Sequence, residues 1–257
     1  MPESVITPFS IGLLPADLPE WFALPAGHPY TGCVENLPIQ FHLISLPGRY
    51  ILVDAPSYEF PGDDSMLLPE FKGRNAAGLL TLIGVPPEAI TDIIITHPHL
   101  DHTLGLALPV DNPSMPVFPN ARHYLGTKDW QNPKLEEIER NPIEVVKKAG
   151  LLTLVDGPLD LGNGLMILPA HGETPGHQMV WLKNDGSESY IVGDLFHHPL
   201  EFAEPERCPI WADAETMRAS KSAFIKRAAE SGAKVYFTHI EGAWTVNTNQ
   251  QPPAWKK

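Results

Sequence analysis

Apolar runs that end abruptly in histidine or aspartate recur along this chain, and they constrain its fold more than any other feature. The run ITDIIITH (90–97) is followed at once by PHLDH, so His97, His99, Asp101 and His102 stand within six residues. LMILPAH ends in His171, with His177 six residues on; SYIVGD ends in Asp194; AKVYFTH ends in His239. A short apolar run bounded by turn residues reads as a buried strand. Strand ends that carry imidazole or carboxylate are what a metal site at one edge of packed sheets requires. His97 and His99, two apart in extended chain, point the same way and can share one ion. Asp101 and His102 follow as the backbone turns and can be presented to a second. A lone histidine in a loop is usually packed or solvated, but four nitrogen and oxygen donors in six residues are a strong metal signal.

The same periodicity outlines the rest of the chain. IQFHLISL and YILVDA, broken by Pro47-Gly48, read as a β-hairpin starting at Ile39. Further strands are expected at 90–97, 121–126, 152–156, 165–171, 179–183, 189–194 and 233–239, and helices at 74–84, 127–140, 142–149 and 215–231. A Pro-, Gly- and Asp-rich loop fills 56–70. Two series of short strands separated by helices, with no repeat, predict one domain over 1–257 in which sheets are covered by helices. Proline accounts for 28 of the 257 residues, about twice the usual share of about 5%. Six of these lie in residues 1–37, which are expected to form an ordered N-terminal strap with at most one short strand.

Charge narrows the partners. The chain has 31 acidic and 18 basic residues, a net charge of −13, and such a field repels phosphate backbones and anionic headgroups. Nucleic acid and membrane surfaces are therefore not expected partners. No apolar stretch is long enough to span a bilayer, and the first residues lack the basic and apolar regions of a signal peptide. The expected location is the cytoplasm. Cys33 and Cys208 are too few for a disulfide framework and lack the spacing of a thiolate metal site.

VDAP at 53–56, THPHLDH at 96–102, ETPGH at 173–177 and GDLFHH at 193–198 occur in that order. With them the chain from about 39 to 239 resembles the metallo-β-lactamase fold superfamily. The resemblance implies an α/β fold, a four-layer αββα sandwich with two mixed β-sheets flanked by helices. It implies that His97, His99 and His177 hold a first metal, that Asp101, His102 and His239 hold a second, and that Asp194 bridges them. Imidazole and carboxylate ligands without thiolate suit two Zn²⁺ ions, and Fe²⁺, Mn²⁺ or Co²⁺ can occupy the same site. Two divalent ions about 3.5–4 Å apart can share a water and lower its pKa from about 15.7 to about 7. The expected nucleophile is then a metal-bridging hydroxide, which Asp101 orients or relieves of a proton destined for the leaving group. In lactonases of this superfamily a tyrosine three residues after the bridging aspartate contacts the substrate carbonyl. Here that position is His197, which can donate the same hydrogen bond; the competing reading is that His197 or His198 orients a neighbour.

Other residues carry weaker expectations. Asp54 is expected to orient backbone or a ligand imidazole, His171 to face substrate or support a ligand, and His42 and His123 to be ordinary packed residues. Phe196, Phe202, Trp211 and Trp244 either line an apolar pocket or fill the seam beneath it. The Lys147-Lys148 pair and the basic residues of the 215–231 helix read as solvated faces. Length and the GDLFHHP segment look most like quorum-quenching lactonases and related organophosphate hydrolases. The expected substrate is a small neutral lactone, acyl-homoserine lactones included, with phosphotriester or aryl ester as the alternative. A mononuclear iron dioxygenase is a more distant one. By analogy with related enzymes, the N-terminal strap suggests a homodimer.

Overall fold

Leu43 and Ile44 are adjacent in sequence but lie in different hydrophobic cores, because successive side chains of a strand point to opposite faces. The computed structural model describes residues 4–60, 68–249 and 252–257. In chain order the strands begin with β1 (Val5–Asp17), β2 (Val34–Leu46), β3 (Arg49–Val53) and β4 (Ile90–Ile94). A small ribbon of β5 (Ala107–Leu108) and β6 (Met115–Pro116) precedes β7 (Arg122–Gly126) and β8 (Leu152–Val155). Next come β9 (Leu159–Gly162), β10 (Leu165–Pro169), β11 (Gln178–Asn184), β12 (Ser187–Ile191) and β13 (Lys234–Tyr236). A final ribbon pairs β14 (Thr245–Asn247) with β15 (Ala254–Lys256). The helices are α1 (Leu18–Trp21), α2 (Ala76–Leu82), α3 (Leu100–Thr103), α4 (Thr127–Trp130), α5 (Glu137–Lys148), α6 (Leu200–Ala203) and α7 (Ala214–Ser231).

Two mixed sheets result. The first has the order β1-β2-β3-β4-β7-β8, antiparallel over its first three strands and parallel from β3 to β8. The second has the order β13-β12-β11-β10-β9, antiparallel except for the parallel β12–β13 pair. Three cores stack these sheets into layers. Ala76 and Leu80 of α2, with Ile143 and Val146 of α5, pack on Phe41, Leu43, Leu52 and Ile93. Ile44, Ile51, Val53 and Ile94 turn the other way and meet Leu165, Ile167, Val180 and Ile191 of the second sheet. Phe224, Ile225 and Ala228 of α7 cover Leu168, Tyr190 and Val235 on the far side. Helix, sheet, sheet, helix is the αββα sandwich expected from the sequence. Each fully buried aliphatic or aromatic side chain contributes about 1.5–3 kcal/mol, so the cores hold the framework and leave the strand ends to carry polar groups.

Three expectations need correction. The segment 1–37 holds a long strand, β1, rather than a short one, paired with β2 from Val34 onward; residues 1–3 lie outside the described residues. Pro8 and Pro15 fit within β1 because it is the edge of its sheet, where a missing N–H interrupts no ladder on the open side. Only residues 18–33 form a strap. A shift in register between Ser10 and Gly12 bends the strand, and at Gly12 a Cβ would lie 2.4 Å from the Tyr58 ring, so only glycine fits. The helix expected over 127–140 is instead α4, a turn around Pro133, and α5. The residue before a proline is pushed out of the helical region, and a reciprocal capping box between Glu136 and Glu139 starts α5 afresh. That helix then runs through Pro142 to Lys148 rather than restarting there. The basic face expected of 215–231 is broken by Lys221, which is 1% exposed. The strands β5, β6, β9, β14 and β15 fall outside the expected ones, and of the 56–70 loop residues 61–67 lie outside the described residues.

Candidate metal centre

At one edge of both sheets the strand ends converge. β4 ends at Ile94, and the chain passes through Thr96, His97 and His99 into α3, which carries Asp101 and His102. Asp54, just beyond β3, adopts a left-handed backbone with φ of 64°, a conformation that aspartate tolerates better than most side chains. Its carboxylate accepts hydrogen bonds from Thr96 N (2.7 Å), Thr96 Oγ1 (2.9 Å) and His102 Nδ1 (2.8 Å). His177 Nδ1 donates to Ala170 O and His239 Nδ1 to Pro38 O, each at 2.8 Å. A carbonyl only accepts, so both rings carry their proton on Nδ1 and turn Nε2 inward. Asp194 follows Gly193, where φ is 54° and a Cβ would lie 2.9 Å from both His177 Nε2 and Thr96 Cβ; glycine is required for the chain to pass.

Donor spacing tests whether an ion fits. Two ligand atoms about 2.1 Å from one ion at 90–110° stand about 3.0–3.4 Å apart. His102 Nε2 and His239 Nε2 each lie 3.3 Å from Asp194 Oδ2, and His239 Nε2 lies 3.2 Å from Asp101 Oδ2. His97 Nε2 and His99 Nδ1 are 2.9 Å apart, and His97 Nε2 is 3.8 Å from Asp194 Oδ2. Among the described residues, His102 Nε2 and Asp194 Oδ1 are buried with no hydrogen-bond partner, which is unfavourable unless a cation meets them. The donors therefore fit metal ions. They form a carboxylate-rich group of Asp101, His102, Asp194 and His239, and an imidazole-rich group of His97, His99 and Glu173. His177 sits beside His97, with ring centroids 5.2 Å apart, but its Nε2 rests 3.2 Å from Asp194 N and joins neither group.

The electrostatics of the two groups differ. Burial opposes charge on His239, yet Asp194 and Asp101 outweigh it and raise the ring to about 9. His102 is likewise lifted well above the usual imidazole range against its burial, by Asp194, Asp101 and Asp54. Burial lowers His177 to about 4 and, with the neighbouring imidazoles, holds His97 well below its usual range.

The remaining candidates fall on two sides of a cleft of about 980 Å³ above these donors. His197, Trp211 and His171 line it, as does Trp21 from α1. His197 stacks on His239 and is edge-on to Trp21, Phe22 and Trp211. Neither of its ring nitrogens has a hydrogen-bond partner among the described residues, and Nε2 lies 3.4 Å from Asp194 Oδ2. His198 is turned away, accepting from Leu200 N and paired with Glu35 at 3.1 Å. Phe196 and Phe202 fill the core under α7, and Trp244 packs on Phe202, so these three seal the seam. His42 and His123 are packed between strands, as expected.

Several functional residues escaped the sequence reading. Asp129, 45 residues before Thr174, accepts from Thr174 Oγ1 (2.9 Å) and Gly176 N (2.6 Å), shaping the turn that delivers His177. Glu201 Oε2 accepts from the backbone N–H of His197 (2.6 Å) and His198 (3.0 Å), while its Oε1 binds the buried Lys221 Nζ at 2.5 Å. Glu173, within the quoted ETPGH run, is buried beside His99 and His197. Only its place inside that motif could have singled it out.

A family model of the metallo-beta-lactamase superfamily matches residues 40–239. The chain belongs to that superfamily. Solved structures extend the likeness over nearly the whole chain. A dizinc quorum-quenching lactonase, AidC, in complex with a product, N-hexanoyl-L-homoserine, is 19% identical with a TM-score of 0.81, covering 99% of this chain and 94% of that one. A probable metal-dependent hydrolase from Staphylococcus aureus is 18% identical with a TM-score of 0.82, covering 98% and 96%. The hydrolase AbOPH is 20% identical with a TM-score of 0.76, covering 100% and 94%. At these identities the likeness is one of fold. No curated protein matches the sequence. Among the described residues no helix is long and apolar enough to cross a membrane.

Proposed function

We propose that this chain is a dinuclear metal-dependent hydrolase that opens lactones. The observation that carries the reading is a pair of adjacent donor groups, with His97 Nε2 of one 3.8 Å from Asp194 Oδ2 of the other, at the floor of a cleft walled by Leu14, Trp21 and Trp211. On this reading His97 and His99 would hold the first metal, joined by His177 once its Nε2 releases Asp194 N; Asp101, His102 and His239 would hold the second, with Asp194 available to both. Metals held there would supply Lewis acidity toward an ester carbonyl and would lower the pKa of a water toward neutrality. Zn²⁺ suits this donor set, as do Fe²⁺, Mn²⁺ and Co²⁺.

The chain's own residues do the rest. Burial works against a charged His197 ring, yet Glu173 and Asp194 hold it well above the ordinary imidazole range, so it is a donor. From the cleft wall it donates a hydrogen bond to the substrate carbonyl and strengthens that bond as charge develops. Asp101 lines the same cleft; against its burial, His102 and His239 keep its carboxylate ionised, so it takes the proton given up by the attacking water and hands it to the leaving alkoxide. The Trp21 and Trp211 rings, 5.2 Å apart and edge to face, shield the reacting ester from bulk water and offer an apolar wall to an acyl group. Similarity to a lactonase with a bound N-acyl-homoserine product supports the choice of lactone over phosphotriester.

The test combines a metal count with a substrate panel. Two metals per chain and the highest kcat/KM on acyl-homoserine or aliphatic lactones are expected. A preference for aryl phosphotriesters or aryl esters would move the assignment to those substrates. One iron per chain with oxygen uptake would make the protein a dioxygenase instead.

A further inference from the structure

Glu173 stands at a corner of the centre that the proposed ligand set leaves open. The residue is 5% exposed. Its Oε1 accepts from Trp211 Nε1 at 2.6 Å and lies 3.4 Å from His99 Nδ1. Its Oε2 lies 3.6 Å from His197 Nε2 and, among the described residues, has no hydrogen-bond partner. The charged His197 ring faces that oxygen from beyond hydrogen-bond distance, and the other oxygen is turned toward His99. Glu173 offers an oxygen that lies, with His97 Nε2 and His99 Nδ1, in one group whose atoms are all within 4.8 Å. The His97–His99 and His99–Glu173 separations of 2.9 and 3.4 Å are close to those of neighbouring ligands about 2.1 Å from one ion.

We propose that Glu173 is a further ligand of the first metal, beside His97, His99 and His177. The inference rests on the dinuclear reading above. With Asp194 it gives the first ion two carboxylates, so that site favours an ion content with five or six ligands. The Trp211 indole N–H holds Oε1 and so fixes the direction of the carboxylate. A metal site built this way depends on a residue of the cleft wall as well as on the strand ends. If Glu173 serves only to hold Trp211 and His197, neutralising it leaves metal binding untouched.

Chelator-stripped full-length protein titrated with Co²⁺, followed by visible absorption and chelator competition, separates these outcomes. Wild type is expected to bind two ions, while Glu173→Gln weakens one of them by roughly 10–100-fold, leaves the other within about threefold, and raises the d–d absorption as coordination number falls. Glu173→Asp, which keeps the charge but shortens the reach, is expected to fall between the two and keeps the test decisive if the amide variant misfolds. Equal affinities and superimposable spectra for all three proteins overturn the inference. Wild type that takes up fewer than two ions overturns the dinuclear reading itself, and this inference with it.

Discussion

His197 and the histidines beneath it are buried at the same sheet edge, yet they are held in opposite ways. His102, His177 and His239 each commit Nδ1 to a fixed acceptor at 2.8 Å, so ring direction and tautomer are set beforehand. His197 commits neither nitrogen among the described residues. Its place is inherited from the backbone, where Glu201 takes the N–H groups of residues 197 and 198, and from the aromatic rings around it. A ring with one nitrogen engaged presents the other in one direction, as a metal ligand must. A ring with both nitrogens uncommitted can exchange partners, as a substrate contact must.

The contrast can be broken from either side. Removing an anchored ring is expected to have the largest effect: His102→Ala should lower metal content from two to one and turnover by roughly 1,000-fold, several kcal/mol of transition-state stabilisation. Elemental analysis beside initial rates checks both. On the His197 side, Lys221→Met leaves the Glu201 carboxylate buried without its cation, and urea unfolding should show a loss of about 3–5 kcal/mol. Pairing it with Glu201→Leu should restore most of the stability but not the acceptor for the 197–198 backbone, so turnover stays low with two metals present. Full turnover in that double variant would show that the pair does not position His197.

Smaller effects sharpen the comparison. Asp54→Asn keeps a residue that tolerates the left-handed backbone but removes the charge that His102 leans on; second-metal affinity is expected to drop roughly 10–100-fold and first-metal affinity to stay. Acid should act on the same side. At neutral pH the metal-free chain carries both ring protons on His102 and His239, whose pKa values the neighbouring carboxylates raise, and a single one on His177 and on His97, whose pKa values burial lowers. The second metal must displace protons, so calorimetry below about pH 9 should show its affinity falling by at least roughly tenfold per pH unit while the first site changes little. Last, His197→Ala should leave metal content intact and lower kcat/KM by roughly tenfold, mainly through kcat, the worth of one hydrogen bond that strengthens as charge develops.

How much of this was readable from sequence follows from how local each device is. The donors of THPHLDH sit within six residues, and the runs ending at Asp194 and His239 announce strand ends, so the site's outline needs no coordinates. The supports are distant in sequence. His239 leans on Pro38, 201 residues away, and Thr174 on Asp129, 45 residues away. Lys221 looks like any lysine on an exposed helix until Glu201 is placed beneath it. The N-terminal prolines misled for a physical reason: proline forbids a central strand but not an edge, and which strand is an edge is a property of the assembled sheet.

That edge has a bearing on how copies of the chain can meet. An open strand of thirteen residues is a template onto which another chain's strand can add, the route by which many β-proteins aggregate. In β1, two positions supply no N–H and a shift in register interrupts the run between Ser10 and Gly12. A sheet that continues from one copy into the next across this border would be short of hydrogen bonds and out of step. Any pairing of subunits is therefore expected to use side-chain faces, leaving the first sheet closed to further growth.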